Sequence, residues 1–206
     1  MPGTLLPHEI LAELMDVAGR ILDEVVGCDD DAFATNGAGP ALYIVEHSID
    51  ATVLGLLIGR RLLPQDSLAE LGAGLFLQDI GKLALPPSLV HKPGPLAPDE
   101  WGLMMQHPLL GLEFLRDDAI PARAKSVVRS HHERWDGSGY PSGLIGDEIP
   151  LFPRIAAVAD VFGAVTSERF HAPAVTCEAG IDLIRAGSGS AFDPAVVEVF
   201  LDVTRS

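Results

Sequence analysis

The sequence predicts an all-α protein. Apolar residues recur at helical spacing in its long segments, as at Leu11, Leu14 and Ala18. Prolines and capping residues stand where such segments would begin or end. No alternating, β-branched segment is long enough to predict a strand. These observations favour a bundle of helices, with no internal repeat.

The predicted helices follow from these signals in chain order. They cover residues 5–26, 41–63, 66–80, 98–105, 108–116, 121–133, 153–167 and 176–186, and a last helix begins at Pro194. Gly27 and Pro64 end the first two helices, whereas Pro98 suits the first turn of a later one. Two stretches should be irregular, because residues 84–98 are rich in proline and residues 134–150 are rich in glycine. A loop as long as the second is usually functional.

Length and composition indicate one domain with a small extension. A chain of 206 residues, 48% of them hydrophobic, can bury a sizeable core. We expect a helix and loop in residues 1–40 to pack on a domain that covers residues 41–206.

Composition also excludes several functions. The net charge of -15 repels a phosphate backbone, so no binding to nucleic-acid duplexes is expected. The most apolar run, residues 49–63, contains charged residues and is too short to span a bilayer. The sequence does not begin with a basic leader, and two cysteines in unrelated contexts do not indicate a disulfide framework. We therefore expect a cytoplasmic protein without a membrane contact.

Asp79 is the centre of the predicted site. It follows an apolar, helix-like run, where a carboxylate is either a solvated helix end or a ligand, and taken alone the solvated position is favoured. Asp160 interrupts another apolar run, and a buried, unpaired carboxylate is so costly that it needs a cation. His47 lies mid-helix in an apolar setting, which also fits a core histidine bonded to a carbonyl group.

Three more histidines stand where they can reach the same place. His107 precedes Pro108, which puts it at a helix boundary. His131 and His132 are adjacent at a predicted helix end and point about 100° apart, so both can reach a cluster two ions wide. Four imidazoles and two carboxylates are enough for a two-metal site, with ions roughly 3.5–4 Å apart, which favours a divalent-metal phosphohydrolase. No role is assigned to the other histidines, His8, His91 and His171.

The segment from His131 to Pro141 resembles the signature of the HD-GYP domain, a branch of the HD phosphohydrolase superfamily. Other blocks agree with this family in the same order, including Glu46-His47-Ser48, Asp79-Ile80-Gly81-Lys82 and Val158-Ala159-Asp160-Val161-Phe162. The resemblance covers about residues 41–200. It implies an HD-domain helical bundle of five core helices plus additional helices, with a centre of two or three metal ions, often iron or manganese. It also implies hydrolysis of cyclic di-GMP to a linear dinucleotide or to GMP.

The resemblance implies two ligand sets that share one carboxylate. The first, complete set is Asp79, His107, His131 and His132. The second is His47, Asp79, Asp160 and the residue at position 78, where the superfamily has a histidine and this chain has Gln78. A glutamine offers a carbonyl oxygen instead of an imidazole nitrogen, which suits harder ions and weakens this site for a transition metal. One or two divalent ions per chain are therefore expected.

The resemblance also implies roles in catalysis and substrate binding. Asp79 and Lys82 would be catalytic, and Lys82 and Arg169 would face substrate phosphates. Substrate contacts from the loop are implied for Gly139, Tyr140 and Pro141. The rings of Tyr140 and Trp135 can either stack on guanine or anchor their own loop. This chain departs from the residues common in the family at three further positions, where it has Tyr43, Gly163 and Ala172.

Three functions stay open at this point. The first is a metal-dependent phosphodiesterase that hydrolyses cyclic di-GMP, with activity reduced by the change at position 78. The second is a catalytically degenerate domain that binds cyclic di-GMP or a protein partner, and the third is a phosphohydrolase for another nucleotide. A cyclic dinucleotide is the expected ligand in the first two, and the loop 134–150 also suits a protein partner. The resemblance is compatible with a homodimer.

Overall fold

The computed structural model describes residues 40–116, 120–167 and 174–205. The predicted first helix and the proposed packing of residues 1–40 therefore lie outside the described residues. Within the described residues the secondary structure is helical, and two isolated β-bridges occur in place of strands. The all-α prediction is confirmed.

Nine α-helices form the described part of the chain. They are α1 (Pro40–Leu62), α2 (Leu68–Leu77), α3 (Pro87–Val90), α4 (Pro98–Met104), α5 (His107–Phe114), α6 (Ala122–Ser130), α7 (Leu151–Thr166), α8 (Cys177–Ala186) and α9 (Pro194–Val203). Short 3-10 segments cover Gln65–Ser67, Ile80–Ala84 and Gly146–Glu148. None of the helices described here is long and apolar enough to cross a bilayer.

Several predicted helix starts agree with the structure because they depend on local signals. The Thr176 hydroxyl accepts a hydrogen bond from the Ala179 N–H at the start of α8. The Asp193 carboxylate accepts one from the Ala195 N–H at the start of α9. Pro194 occupies the first helical position, where a missing N–H costs nothing.

Two helices end earlier than predicted. Helix α2 ends at Leu77 instead of residue 80, because Asp79 leaves the helical region with φ -99° and ψ 5°. Helix α6 ends at Ser130 instead of residue 133, because the chain tightens there and the Glu133 N–H donates to the Ser130 carbonyl group. As a result, Asp79, His131 and His132 lie in the turns that follow these two helices.

Two further features were not predicted. The proline-rich stretch 84–98 contains α3, since Pro87 occupies a first helical position without loss of a needed hydrogen bond. Helix α1 leaves the large apolar side chains of Ile49, Val53 and Leu57 exposed along one face.

The main core lies where α1, α2 and α7 pack together, and α9 packs on α1 and α7. Its large, fully buried side chains include Leu56, Leu71, Ile155 and Phe200. Helix α6 packs against both α2 and α5. This packing fixes the ends of α2 and α6 and the start of α5, which carry most of the predicted site.

A close main-chain contact joins the 3-10 segment after α2 to helix α5. A Cβ atom on Gly81 would lie 1.9 Å from the His107 carbonyl oxygen and 2.5 Å from the Gly111 nitrogen. Real Cβ atoms do not approach other atoms this closely, so the contact requires glycine. The turn that carries Asp79 is thereby held against the helix that carries His107.

Candidate metal centre

Asp79 lies in the turn after α2 and is only 1% exposed, so it is not a solvated helix end. Its Oδ1 atom lies 3.3 Å from His107 Nε2 and 3.7 Å from His131 Nε2. Its Oδ2 atom accepts a hydrogen bond of 2.7 Å from Lys82 Nζ. Burial alone would raise the pKa of Asp79, but the charge of the Lys82 ammonium group holds it well below its usual range. The carboxylate is therefore ionised at neutral pH.

The first cluster contains Asp79, His107, His131 and His132. The structure brings all four side chains together, with one potential ligand atom from each lying within 4.8 Å of the others. His107 begins α5, whereas His131 and His132 follow the last residue of α6. The rings of His131 and His132 are 4.1 Å apart between centroids, so adjacent residues reach one point after the helix has ended.

The hydrogen bonds of two histidines indicate which nitrogen is free to bind. His107 Nδ1 lies 2.8 Å from the Met104 carbonyl oxygen, and His131 Nδ1 lies 3.1 Å from that of Val127. A carbonyl oxygen only accepts, so each Nδ1 carries a proton, and in a neutral ring Nε2 then presents a lone pair. The two Nε2 atoms lie 3.3 Å apart. Two lone pairs at this distance repel each other, and a cation between them removes the repulsion.

Burial further supports neutral imidazoles at this cluster. It lowers the pKa of His107 to about 4 and lowers the pKa of His132 well below its usual value. Both rings are therefore uncharged at neutral pH. Neutral imidazole is the form that binds a metal ion.

The second cluster contains His47, Asp79 and Asp160, with potential ligand atoms again within 4.8 Å of one another. His47 Nε2 lies 2.7 Å from Asp160 Oδ1 and 4.0 Å from Asp79 Oδ2. Burial would raise the pKa of Asp160, but its hydrogen bond with His47 holds it well below its usual range. Asp79 is thus common to both clusters.

Gln78 is fully buried beside the second cluster. Its Nε2 donates to Asp160 Oδ1 at 3.2 Å, whereas its Oε1 has no hydrogen-bond partner in the described structure. The same is true of Asp79 Oδ1. Buried oxygens without donors are costly, and here they lie beside imidazole nitrogens. This mixed set of nitrogen and oxygen atoms fits a divalent transition metal.

A cleft of about 250 Å³ opens beside the clusters. Lys82, His107, His132 and Tyr140 form its polar part. Its apolar wall consists of Leu89, Val90, Leu96, Trp101 and Met104. Arg169, the second predicted phosphate-binding cation, lies outside the described residues.

The loop residues predicted to contact substrate lie at the edge of this cleft or next to it. The Tyr140 ring stacks on that of His132 with 4.7 Å between centroids. Burial raises the pKa of Tyr140, so its hydroxyl stays protonated. Pro141 follows through a cis peptide bond and is half-buried. At Gly139 a Cβ atom would lie 2.3 Å from the Arg134 nitrogen, so glycine is needed where the loop folds back on itself.

Glu133 is a structural residue of the site that the sequence reasoning missed. It is 3% exposed, and its carboxylate accepts hydrogen bonds from the Ser142 N–H at 2.7 Å and the Leu144 N–H at 3.1 Å. These bonds tie the far side of the loop to the end of α6. The available signal was an acidic residue directly before a glycine-rich stretch, whose N–H groups need acceptors.

Replacing Glu133 with glutamine should loosen this loop. The neutral amide offers one acceptor oxygen instead of two, and hydrogen bonds to a charged group are the stronger kind. Amide hydrogen exchange at Ser142 and Leu144 should accelerate about tenfold, equivalent to about 1.4 kcal/mol. In the wild type, the loop as a whole should already exchange faster than α7, because it is long and glycine-rich.

The matched control is Glu148→Gln. The Glu148 carboxylate accepts from the Ile145 N–H in the same loop but is exposed. Exchange at Ser142 should stay at the wild-type rate in this variant. If hydrogen exchange at Ser142 accelerates equally in both variants, the Glu133 carboxylate is not what holds this part of the loop.

A family model identifies the family, and two curated relatives are similar to the chain. A family model described as HD domain matches residues 46–196. A cyclic di-GMP phosphodiesterase of Vibrio cholerae is 42% identical over 134 residues, which cover 62% of this chain and 27% of that protein. A 3'3'-cGAMP-specific phosphodiesterase of the same organism is 42% identical over 128 residues, covering 61% of this chain and 24% of that protein. The chain spans about a quarter of the length of these curated relatives.

A solved structure supports the fold. An HDGYP protein from Bdellovibrio bacteriovorus superposes with a TM-score of 0.66 at 17% sequence identity, over 96% of this chain and 65% of that protein. The helical architecture thus agrees with the fold that the resemblance implies. The chain belongs to the HD domain family.

Proposed function

We propose that this domain is a metal-dependent phosphodiesterase that hydrolyses cyclic di-GMP. The observation that carries the proposal is the position of Asp79, which belongs to both histidine–aspartate clusters and contacts Lys82 at the edge of a cleft. The relative named a cyclic di-GMP phosphodiesterase supports this substrate. Another relative is named a 3'3'-cGAMP-specific phosphodiesterase, so 3'3'-cGAMP is the second nucleotide to test as a substrate.

The two clusters would hold one ion each. Asp79, His107, His131 and His132 would bind the first, and His47, Asp79, Asp160 and Gln78 the second. Iron and manganese are the proposed metals, because imidazole and carboxylate together suit them. When bound, such ions stabilise negative charge on a phosphate group and make a water molecule more acidic.

The other residues of the site position the substrate. The Lys82 side chain is 18% exposed and lines the cleft, where its ammonium group can bind a non-bridging phosphate oxygen. The Tyr140 hydroxyl is held in its protonated form and can donate a hydrogen bond. The apolar wall of the cleft excludes water from one side of the bound nucleotide.

A hydrolysis assay tests this function directly. Purified protein should convert cyclic di-GMP to a linear dinucleotide or GMP when manganese or ferrous iron is added, and a chelator should stop the reaction. Turnover of 3'3'-cGAMP, measured in parallel, reports the substrate preference. No hydrolysis of either nucleotide across a full metal titration would contradict the proposal.

One observation favours a second candidate, a degenerate domain that binds the nucleotide without hydrolysing it. The Gln78 amide and His47 both contact Asp160 Oδ1, which closes the second cluster with hydrogen bonds. Gly163 is a second difference beside this cluster. A Cβ atom there would lie 3.9 Å from His47 Cε1, so the glycine leaves a space that a larger side chain would fill. Binding of cyclic di-GMP without turnover at any metal concentration is the result that identifies this candidate.

Replacing Gln78 with histidine should strengthen the second ion site. The substitution replaces an amide oxygen with an imidazole nitrogen, and the nitrogen is the better ligand for a transition metal. Bound metal at low supply should rise from about one to about two ions per chain, and turnover should increase about tenfold, equivalent to about 1.4 kcal/mol of barrier. Metal content and turnover are measured together across a titration.

The matched control is Gln65→His, which adds a histidine at an exposed position in the 3-10 segment before α2. It should leave metal content and turnover unchanged. Unchanged metal content in the Gln78 variant as well would show that position 78 is not a ligand.

A further inference from the structure

Trp101 is exposed to an unusual degree for a large aromatic residue. It lies on α4 and is 47% exposed. Its ring packs edge to face against Tyr140, with 6.3 Å between centroids. Exposed aromatic surface next to a cleft is a common mark of a ligand-binding site.

Trp101 also stands between two clefts. The cleft of 250 Å³ described above lies on one side, and a second cleft of about 690 Å³ lies between the loop after α6 and helices α7 and α8. The residues that line both clefts are Trp101, His132 and Tyr140. The boundary between the clefts is therefore an aromatic ridge made of these three rings, and His132 also belongs to the first cluster.

The other tryptophan, Trp135, has a different environment. The Arg154 guanidinium lies 5.2 Å from the centre of its ring. The main-chain N–H of Trp135 donates to the Ala191 carbonyl group, and the main-chain carbonyl group of Trp135 accepts from the Gly146 N–H. Trp135 lines neither of the two clefts and anchors the loop, so of the two aromatic residues considered for stacking only Tyr140 faces the site.

The smaller cleft has the chemistry of a nucleotide site. Its wall of Leu96, Met104 and Trp101 suits the flat, apolar face of a base. Lys82 lies in the same cleft and suits a phosphate group. A base can stack on an aromatic ring whatever its identity, because every base has a π-face.

We propose that the Trp101 ring is the surface on which one base of the cyclic dinucleotide stacks in the smaller cleft. This inference rests on the proposed function and adds the residue that holds the base. Since stacking is insensitive to base identity, Trp101 contributes affinity for the nucleotide and not the choice between guanine and adenine.

Two substitutions at Trp101 test this role. Trp101→Ala should raise KM for cyclic di-GMP about tenfold and change kcat less than about twofold, whereas Trp101→Phe should restore most of the affinity. The KM for 3'3'-cGAMP should rise by the same factor. The control is Leu103→Ala, because Leu103 lies on the same helix, is 46% exposed and lines neither cleft.

A binding measurement separates this inference from the proposed function. Affinity for cyclic di-GMP is measured by calorimetry on each variant after treatment with a chelator, and circular dichroism checks the fold. If the wild type binds or hydrolyses the nucleotide and Trp101→Ala behaves like Leu103→Ala, the inference is wrong and the function stands. If the wild type neither binds nor hydrolyses it, both are wrong. Quenching of Trp101 fluorescence by the nucleotide in a Trp135→Phe background would support the inference.

Discussion

Replacing Asp79 with asparagine should remove hydrolysis of cyclic di-GMP and most of the bound metal. One carboxylate serves both clusters, so its loss affects both ions at once. An asparagine offers one neutral oxygen in place of two charged ones, and it also removes the negative charge that Lys82 Nζ contacts at 2.7 Å. We expect turnover to fall at least about a thousandfold, equivalent to about 4 kcal/mol of barrier. Metal per chain and turnover are measured on the same preparation.

The control for this change is Asp99→Asn. Asp99 lies in the first turn of α4 and is exposed, so its substitution should leave metal content and turnover at wild-type values. Circular dichroism should show that both variants are folded. An Asp79 variant that keeps the wild-type metal content would contradict the shared-ligand arrangement.

Replacing Gly81 with alanine should destabilise the whole domain. The new Cβ atom would lie 1.9 Å from the His107 carbonyl oxygen, and main-chain atoms cannot rotate away as a side chain can. Helix α5 would have to shift, which moves His107 from the first cluster. We expect the free energy of unfolding to fall by about 3 kcal/mol or more. Denaturant unfolding measures this loss, and metal content should fall with it.

Gly102→Ala is the matched substitution. Gly102 lies within α4, and no atom lies within 4 Å of its added Cβ. Alanine in a helix is favoured over glycine, so this variant should be about 0.5–1 kcal/mol more stable. Equal stability of the two variants would show that the Gly81 contact is not a constraint.

Local signals account for most of the fold that could be predicted. The starts of α8 and α9 depend on Thr176 and Asp193, whose side chains bond N–H groups two or three residues away. The ends of α2 and α6 were placed three residues late. No proline or capping residue marks the end at Leu77, whereas in the structure the turn that carries Asp79 lies against α5 through the Gly81 contact.

The site was predictable in its residue types and much less so in its arrangement. Asp160 in an apolar run had to have a partner, and the structure gives it His47 and Gln78. For the hydrogen bonds of Glu133 to the loop, the local sign was an acidic residue before a glycine-rich stretch, which does not say which N–H groups it meets. The exposed ring of Trp101 depends on how distant segments fold together. Arg169 and the predicted N-terminal helix stay predictions.

The contact between Gly81 and helix α5 has an evolutionary consequence. Because main-chain atoms set the spacing between the Asp79 turn and His107, that spacing does not depend on which side chain stands at position 78. A lineage can therefore exchange one donor atom for another there while the rest of the scaffold stays in place. If position 78 is a ligand as proposed, one codon can alter the number of ions that such a domain holds, in either direction, on an unchanged fold.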